Sequence, residues 1–371
     1  MNDAQLARSQ LKNAKRVVVK IGSALLARDD TFAEEVARQI SSLAKKNIKT
    51  VVVTSGAIAL GLPLLGLSKR PRDLPNLQAA AAAGQVRLMA SWETAFAKVE
   101  HHVGQILLTH ADLASRKRYL NARDALTTLL DRGLVPVVNE NDSVSVDEIK
   151  LGDNDTLAAE VAGLVSADAL LLLTGAEGMF TAPPDEPDAV RIPFVDEVDD
   201  ALRGMAGAPA LFGTGGMHTK LQAAEIARRH GIATLIARGT EKDVLARLLD
   251  GEDLGTLFAK NEVPQGSRKL WIGSLRGRGV IDVDKGAKDA LQKNASLLYA
   301  GVTSVEGIFE KGDAVDLRFE GVIFARGLIS LANDDAQRVA GMQTEQARAT
   351  LGNAPRVLFH RDDVVWLEHS P

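Results

Sequence analysis

The chain contains no cysteine. That excludes a disulfide framework, a Cys-ligated zinc site and a thiol nucleophile. Aromatic residues are scarce, 4% of 371. Val, Leu, Ile and Ala must therefore fill the core that a 46% hydrophobic content allows, which suits a parallel sheet buried on both faces. No apolar run approaches the ~20 residues that span a bilayer; the longest, such as 79–84 and 169–173, are far shorter. Residues 1–15 are polar and lack the apolar core of a signal peptide. Basic charge is not in excess either. The formal net charge of −4 gives no global attraction to nucleic acid or anionic membrane. The expectation is a soluble, cytoplasmic protein with no membrane partner.

Several site motifs are missing too. There is no G-x-x-x-x-G-K-[ST] phosphate loop and no G-x-S-x-G nucleophile turn. A full G-x-G-x-x-G is also absent, because Gly213-Thr214-Gly215 is followed by Gly216-Met217-His218. The Asn/Asp clusters lack the length and the closing Glu of a calcium loop. The seven histidines are scattered and none neighbours a suggestive Ser or Asp motif, so a histidine-centred mechanism is disfavoured.

What the sequence does hold is alternation. Short apolar runs end in Gly or polar residues at 16–22 (RVVVKIG), 50–56 (TVVVTSG), 105–109 (QILLT), 135–142 (VPVVNEND), 169–175 (ALLLLTG) and 234–239 (TLIARG). Each reads as a buried strand. Helical spacing lies between them at 32–46, 121–131 and 219–230, and the alanine run 79–83 reads as helix. Strand–helix alternation predicts an α/β fold, an αβα sandwich with a mostly parallel central sheet. Near 258–275 the pattern changes. The polar stretch 259–267 (AKNEVPQGS) holds Pro and Gly, as a linker should. Short β-type runs follow at 279–283, 304–309, 314–319, 322–331 and 357–359. The expected division is 1–260, a linker at 261–274, and a small, mainly β domain at 275–371.

Ligands of such sheets sit beyond the carboxyl ends of the strands. Small and polar residues cluster there. Residues 213–220 (GTGGMHTK) run into a helical pattern. Glycines admit a phosphate close to the backbone, and the helix start offers free N–H groups; a plain flexible loop has the same composition. Lys20 ends a buried strand, which calls for an anionic ligand or for a stem that reaches solvent. Thr54-Ser55-Gly56-Ala57 suits carboxylate binding or helix capping. Residues 139–142 (NEND) and 152–155 (GDND) suit turns or a site for an ammonium group.

Taken in order, VVVKIGS, VVVTSGAIALG, NARDALTTLLD, VPVVNENDSV, GDNDTLAAE, LLLLTGAEGMF and GTGGMHTKLQAA resemble the amino-acid kinase family over roughly residues 15–260. Within it they are most similar to the branch acting on the side-chain carboxylate of L-glutamate. The resemblance implies an amino-acid-kinase-type fold, ATP and Mg²⁺ as cofactors, and L-glutamyl 5-phosphate as product, the first step of proline biosynthesis. It further implies that Lys20 and Lys220 contact the ATP phosphates, with Asp155 holding both lysines. Ser55, Gly56, Asp142 and Asn154 would bind glutamate. Gly22, Thr174, Gly175, Thr214, Gly215, Gly216, Met217, His218 and Thr219 would line the nucleotide site with Lys20 and Lys220. No protein ligand set for a metal is implied, because Mg²⁺ rides on the ATP phosphates. Gly175 departs from relatives that carry Asp after the Thr. Proline is implied as feedback inhibitor and a homo-oligomer as the assembly. Relatives acting on aspartate, acetylglutamate, carbamate or UMP are the alternative, as is an RNA-associated regulatory protein.

Residues 275–355 resemble a PUA domain, a module that commonly binds RNA. Residues 262–371 carry fourteen Lys and Arg against fifteen Asp and Glu. A basic footprint is thus missing overall. The expectation leans to a structural, oligomeric or regulatory role, with RNA binding open.

Overall fold

Strand β1, Arg16–Ile21, shows how the sequence builds the first unit. Its side chains alternate across a sheet. Val17, Val19 and Ile21 enter an apolar core with Val36, Ile40 and Leu43 of the helix Phe32–Lys45, and with Leu88 and Trp92 of the helix Leu74–Ala97. Lys20 lies on the other face. The helices Asp153–Leu164 and Met217–Arg229 pack together there, the former against β1. Burying each such Val, Ile or Leu contributes about 1.5–3 kcal/mol. The computed structural model describes residues 2–28, 31–144, 153–183, 185–206, 216–261, 267–352 and 355–367.

The chain divides into two units, Met1–Pro264 and Gln265–Pro371. In the first, β1 is joined by β2 (Lys49–Val53), β3 (Val103–Leu108), β4 (Val135–Glu140), β5 (Ala169–Thr174), β6 (Phe194–Val195), β7 (Ala233–Arg238) and β8 (Thr256–Phe258). They form an eight-stranded sheet in the order β3-β4-β2-β1-β5-β7-β8-β6. All its pairs are parallel except β7 with β8. The six runs read as strands are all present. Strands β6 and β8 were not legible, being only two and three residues long.

The register aligns the strand ends. Ile21 pairs with Leu173, so Gly22 and Thr174 follow side by side, and Lys20 pairs with Val53, just before Thr54-Ser55. Gly56 has φ +111° and precedes the helix Ala57–Gly61. That left-handed conformation favours glycine. The helices Ala57–Gly61 and Leu74–Ala97 then cross almost backbone to backbone. A Cβ on Gly84 would stand 1.8 Å from the Ala57 carbonyl oxygen, and one on Gly61 1.8 Å from that of Ala80.

The second unit has its own five-stranded sheet, β10-β9-β11-β12-β13, from β9 (Gly279–Val283), β10 (Val302–Gly307), β11 (Ala314–Phe319), β12 (Val322–Leu328) and β13 (Val364–Trp366). Only β9 with β11 is parallel. Its core holds Ile281, Tyr299, Phe309, Leu317 and Phe359. Two local expectations change. The run 357–359 contributes a single bridge, Leu297 with Phe359, and the last strand is β13. Part of the expected linker is the helix Ser267–Ser274, where Trp271 and Ile272 are buried.

Candidate active site

Lys20, Asp155 and Lys220 meet on the sheet face that Lys20 occupies. Lys20 Nζ stands 2.6 Å from Asp155 Oδ1, and Lys220 Nζ 3.1 Å from Asp155 Oδ2. The Thr219 hydroxyl also donates to Oδ2, at 2.7 Å. Asp155 has no exposed surface, and the lysines keep 5% and 6%. Residues so far apart in sequence converge because β1 carries Lys20 outward while Asp155 and Lys220 sit in the first turns of two neighbouring helices.

Among the described residues, two ammonium groups meet one carboxylate in a nearly dry place. Burial pushes the Asp155 carboxyl up, but Lys20 and Lys220 outweigh it and hold the group below the ordinary carboxylate range. For Lys220, burial dominates; with the like charge of Lys20 it lowers the pKa despite Asp155. Two ammonium groups on one carboxylate can also attract a further anion.

The helix Met217–Arg229 begins beside this cluster. Its N-cap, Gly216, is extended and has no side chain to cap the first turn. The free N–H groups and positive dipole end of this helix lie beside Lys220. Met217 and His218 belong to its first turn. Thr214 and Gly215 lie outside the described residues. Thr174 and Gly175 end β5, and a Cβ added to Gly175 would meet nothing within 4 Å. Gly22 starts the turn after β1 and precedes the short helix Ser23–Leu26.

A second group of residues lies at the ends of β2 and β4. Asn154 Nδ2 donates to Ser55 Oγ at 3.0 Å and to Asn139 Oδ1 at 3.3 Å. Asn139 Nδ2 in turn donates to Gln85 Oε1 at 2.8 Å. Asn139 and Gln85 are buried. The two ends of this ladder, Gln85 Nε2 and Asn154 Oδ1, are buried and have no hydrogen-bond partner among the described residues. Leaving such a group unpaired costs about 1–3 kcal/mol. Behind Ser55, Trp92 Nε1 donates to Thr54 Oγ1 at 3.1 Å, both residues fully buried. Asp142 sits in the turn after β4 and lines a cavity of about 250 Å³ with Gln85, Gln105, Glu140, Asn141 and Ser143.

The residues expected to act together thus fall into two groups: Lys20, Asp155, Lys220 and Thr219 around one carboxylate, and Ser55, Gly56, Asn154 and Asp142 around the strand ends beside it. Asn154 and Asp155 are consecutive, so the groups adjoin. Gln85, Asn139 and Trp92 were not singled out from the sequence. Asn139 stood in the NEND motif without a role of its own, whereas Gln85 and Trp92 carry no local signal.

Comparison with known proteins shows the family of the chain. Residues 15–238 match the model of the amino acid kinase family, and residues 279–351 that of the PUA domain. The glutamate 5-kinase of Pseudomonas putida (strain F1) is 46% identical over 369 residues, covering 96% of this chain and 99% of that protein. That of Hahella chejuensis is 45% identical, covering 99% and 98%. Among solved structures, the carbamate kinase from Giardia lamblia bound to AMP-PNP superposes with a TM-score of 0.49 at 18% identity, over 67% of this chain and 100% of that one.

Proposed function

Since the chain belongs to the amino acid kinase family and carries a PUA domain after its catalytic unit, we propose that it transfers the γ-phosphoryl group of ATP to the side-chain carboxylate of L-glutamate. The product is the acyl phosphate L-glutamyl 5-phosphate, which feeds proline biosynthesis. What supports the substrate is the near full-length identity to the glutamate 5-kinases.

The observation that carries the mechanism is the convergence of two buried lysines on one buried aspartate. A free glutamate side chain titrates near ~4.3 and is ionised at neutral pH. It attacks phosphorus without a general base. The barrier lies instead in bringing two anions together while charge spreads over the phosphoryl oxygens. Lys20 and Lys220 hold fixed positive charge at that point, and Asp155 and Thr219 keep them there. The N–H groups that open the helix Met217–Arg229 add oriented dipoles.

The lysine and N–H donors there fit phosphate oxygens, and the carboxylate beside them, Asp155, is engaged by Lys20, Lys220 and Thr219. Mg²⁺ therefore belongs to ATP in this reading and supplies charge neutralisation between its phosphates. Ser55 and Gly56 take one carboxylate of the acid, while Asp142 and Asn154 take its α-ammonium group. Gly22, Thr174, Gly175 and 214–219 border the nucleotide. Proline as inhibitor at or near the acid site and a homo-oligomer belong to the same reading, supported by the resemblance alone. No helix among the described residues is long and apolar enough to cross a membrane; a cytoplasmic location belongs to this reading on the resemblance alone. For the PUA domain we favour a structural or regulatory role over RNA binding, on the balance of its charges.

Hydroxylamine trapping tests the reaction, because only an acyl phosphate yields the hydroxamate. Incubation with ATP and each of glutamate, aspartate, acetylglutamate and carbamate should give product with glutamate. Product from another acid alone refutes the assignment. Lys20→Ala and Lys220→Ala should each lower turnover by ~10²–10³-fold, the scale of one preorganised donor.

A further inference from the structure

We propose that Gln85 is a positioning residue that sets which way round the acid site is wired, acting through Asn139 on Asn154 and Ser55. This inference rests on the glutamate reading above and adds to it how the site tells an α-amino acid from a plain dicarboxylate.

A primary amide has a donor end and an acceptor end, and the two have nearly the same shape. Which end Asn154 offers to a ligand is therefore decided by its neighbours. Its Nδ2 is committed twice, to Ser55 Oγ and to Asn139 Oδ1. The end left unpaired is the carbonyl Oδ1. Asn139 holds Asn154 in that sense only while its own Oδ1 faces Asn154. Gln85 fixes this by accepting from Asn139 Nδ2 at 2.8 Å. Ser55, having accepted from Asn154, keeps its hydroxyl proton to donate. The ladder thus presents an acceptor, suited to an ammonium group, next to a donor, suited to a carboxylate. Gln85 follows Gly84, where the helix Leu74–Ala97 crosses Ala57–Gly61 closely.

Without the Gln85 acceptor, Asn139 can turn its amide over and present Nδ2 to Asn154. Asn154 then turns too and meets the substrate's ammonium group with N–H donors. Ser55, now facing Asn154 Oδ1, gives its proton to that oxygen and no longer donates to the carboxylate. Glutamate and glutarate both lose that donor, and glutamate loses the acceptor for its ammonium group as well.

The test uses the full chain, L-glutamate, and glutarate, which has both carboxylates but no amino group. For Gln85→Met, close in size but without the acceptor, the glutamate KM should rise by at least about tenfold, equivalent to ~1.4 kcal/mol. The ATP KM should stay within about twofold. The kcat/KM for glutarate should fall with the lost Ser55 donor and that for glutamate about tenfold further, so that the preference for glutamate over glutarate falls about tenfold. Gln85→Glu keeps an oxygen facing Asn139 and should restore most of that preference. Asn139→Ala should lower it as Gln85→Met does, and the double variant should be no worse than Asn139→Ala alone, since both residues act in one chain. Asn139→Ala carries the test if Gln85→Met does not fold. Equal losses for glutamate and glutarate, an unchanged preference, or additive effects in the double variant overturn the proposal. Calorimetric binding of glutamate and glutarate, without turnover, separates the two levels. A wild-type chain that prefers glutamate in binding but forms no hydroxamate refutes the reaction and leaves the wiring standing. A chain that forms hydroxamate but shows no preference refutes the wiring alone.

Discussion

Asp155→Asn is the substitution whose consequence follows most directly from the geometry. It keeps the shape of the side chain and removes one charge. Lys20 and Lys220 approach opposite oxygens of this carboxylate at 2.6 and 3.1 Å, which places their ammonium groups roughly 5 Å apart. At an effective dielectric of about 20 their mutual repulsion is then ~3 kcal/mol. In the native chain that repulsion is more than offset by two attractions to Asp155; in the variant those two attractions are lost. The lysines must separate or one must lose its proton, and either change removes the fixed pair that faces the phosphoryl group. Turnover should fall at least ~10²-fold, in line with the loss of one preorganised donor. Stability should drop by up to about 3–5 kcal/mol, as for a broken buried ion pair. The pH dependence gives a second readout. Lys220 already titrates below the ordinary lysine range because of burial, and loss of its negative partner moves it lower still. Activity that needs the charged form should therefore decline at lower pH on the alkaline side than in the native enzyme. The measurements are kcat by hydroxamate trapping across pH, with thermal melting alongside. A variant with turnover within fivefold of native and an unmoved alkaline limb would refute the reasoning that one carboxylate holds both lysines in place.

Asp142→Asn removes the anion expected to meet the substrate's ammonium group, so the glutamate KM should rise by at least about tenfold and the ATP KM should not, since a lost charge-assisted hydrogen bond is worth ~1.5–3 kcal/mol; steady-state kinetics with each substrate varied checks it. Gly84→Ala forces a methyl to within 1.8 Å of the Ala57 carbonyl oxygen, and the helices must part. We expect a loss of ~1–3 kcal/mol in a denaturant melt, with glutamate binding weakened because the Ser55-Gly56 turn moves; an unshifted midpoint contradicts the close crossing. His230 packs its ring over Gly163, and burial, with the charge of Arg229, lowers its pKa to about 4. The unfolded chain takes up this proton near ~6.5 and the folded chain does not until about 4. Stability should therefore be fully present above ~6.5 and fall by up to about 3 kcal/mol as pH drops toward 4. His230→Gln, which cannot charge, should remove that part of the slope in melts across this range.

The sequence displayed the first unit's architecture because its strands are buried on both faces and so appear as unbroken Val and Leu runs. Strands β6 and β8 escaped because two or three residues carry no period. In the second unit the run 357–359 has the composition of a strand, yet Phe359 spends its pairing on a single bridge to Leu297. Composition reports burial there, not pairing. The lysine cluster was legible in part. Lys20 inside RVVVKI is a charge where none is tolerated without a reason, and GMHTK places Lys220 at a helix start. Their common partner is 135 residues from one and 65 from the other, a relation that no local pattern contains and that here came from the family motifs. Gln85 marks the other limit. It stands in an alanine-rich helix as an ordinary helix former, and its hydrogen-bond partner lies 54 positions away on β4. The glycines that bring that helix against Ala57–Gly61 are visible in the sequence, but which carbonyl each one accommodates is not. Legibility therefore follows range. What a residue does to its own turn or strand can be read directly, whereas what it does across the sheet needs the fold, and the polarity of a buried amide, set two residues away along a hydrogen-bonded chain, lies furthest from the text.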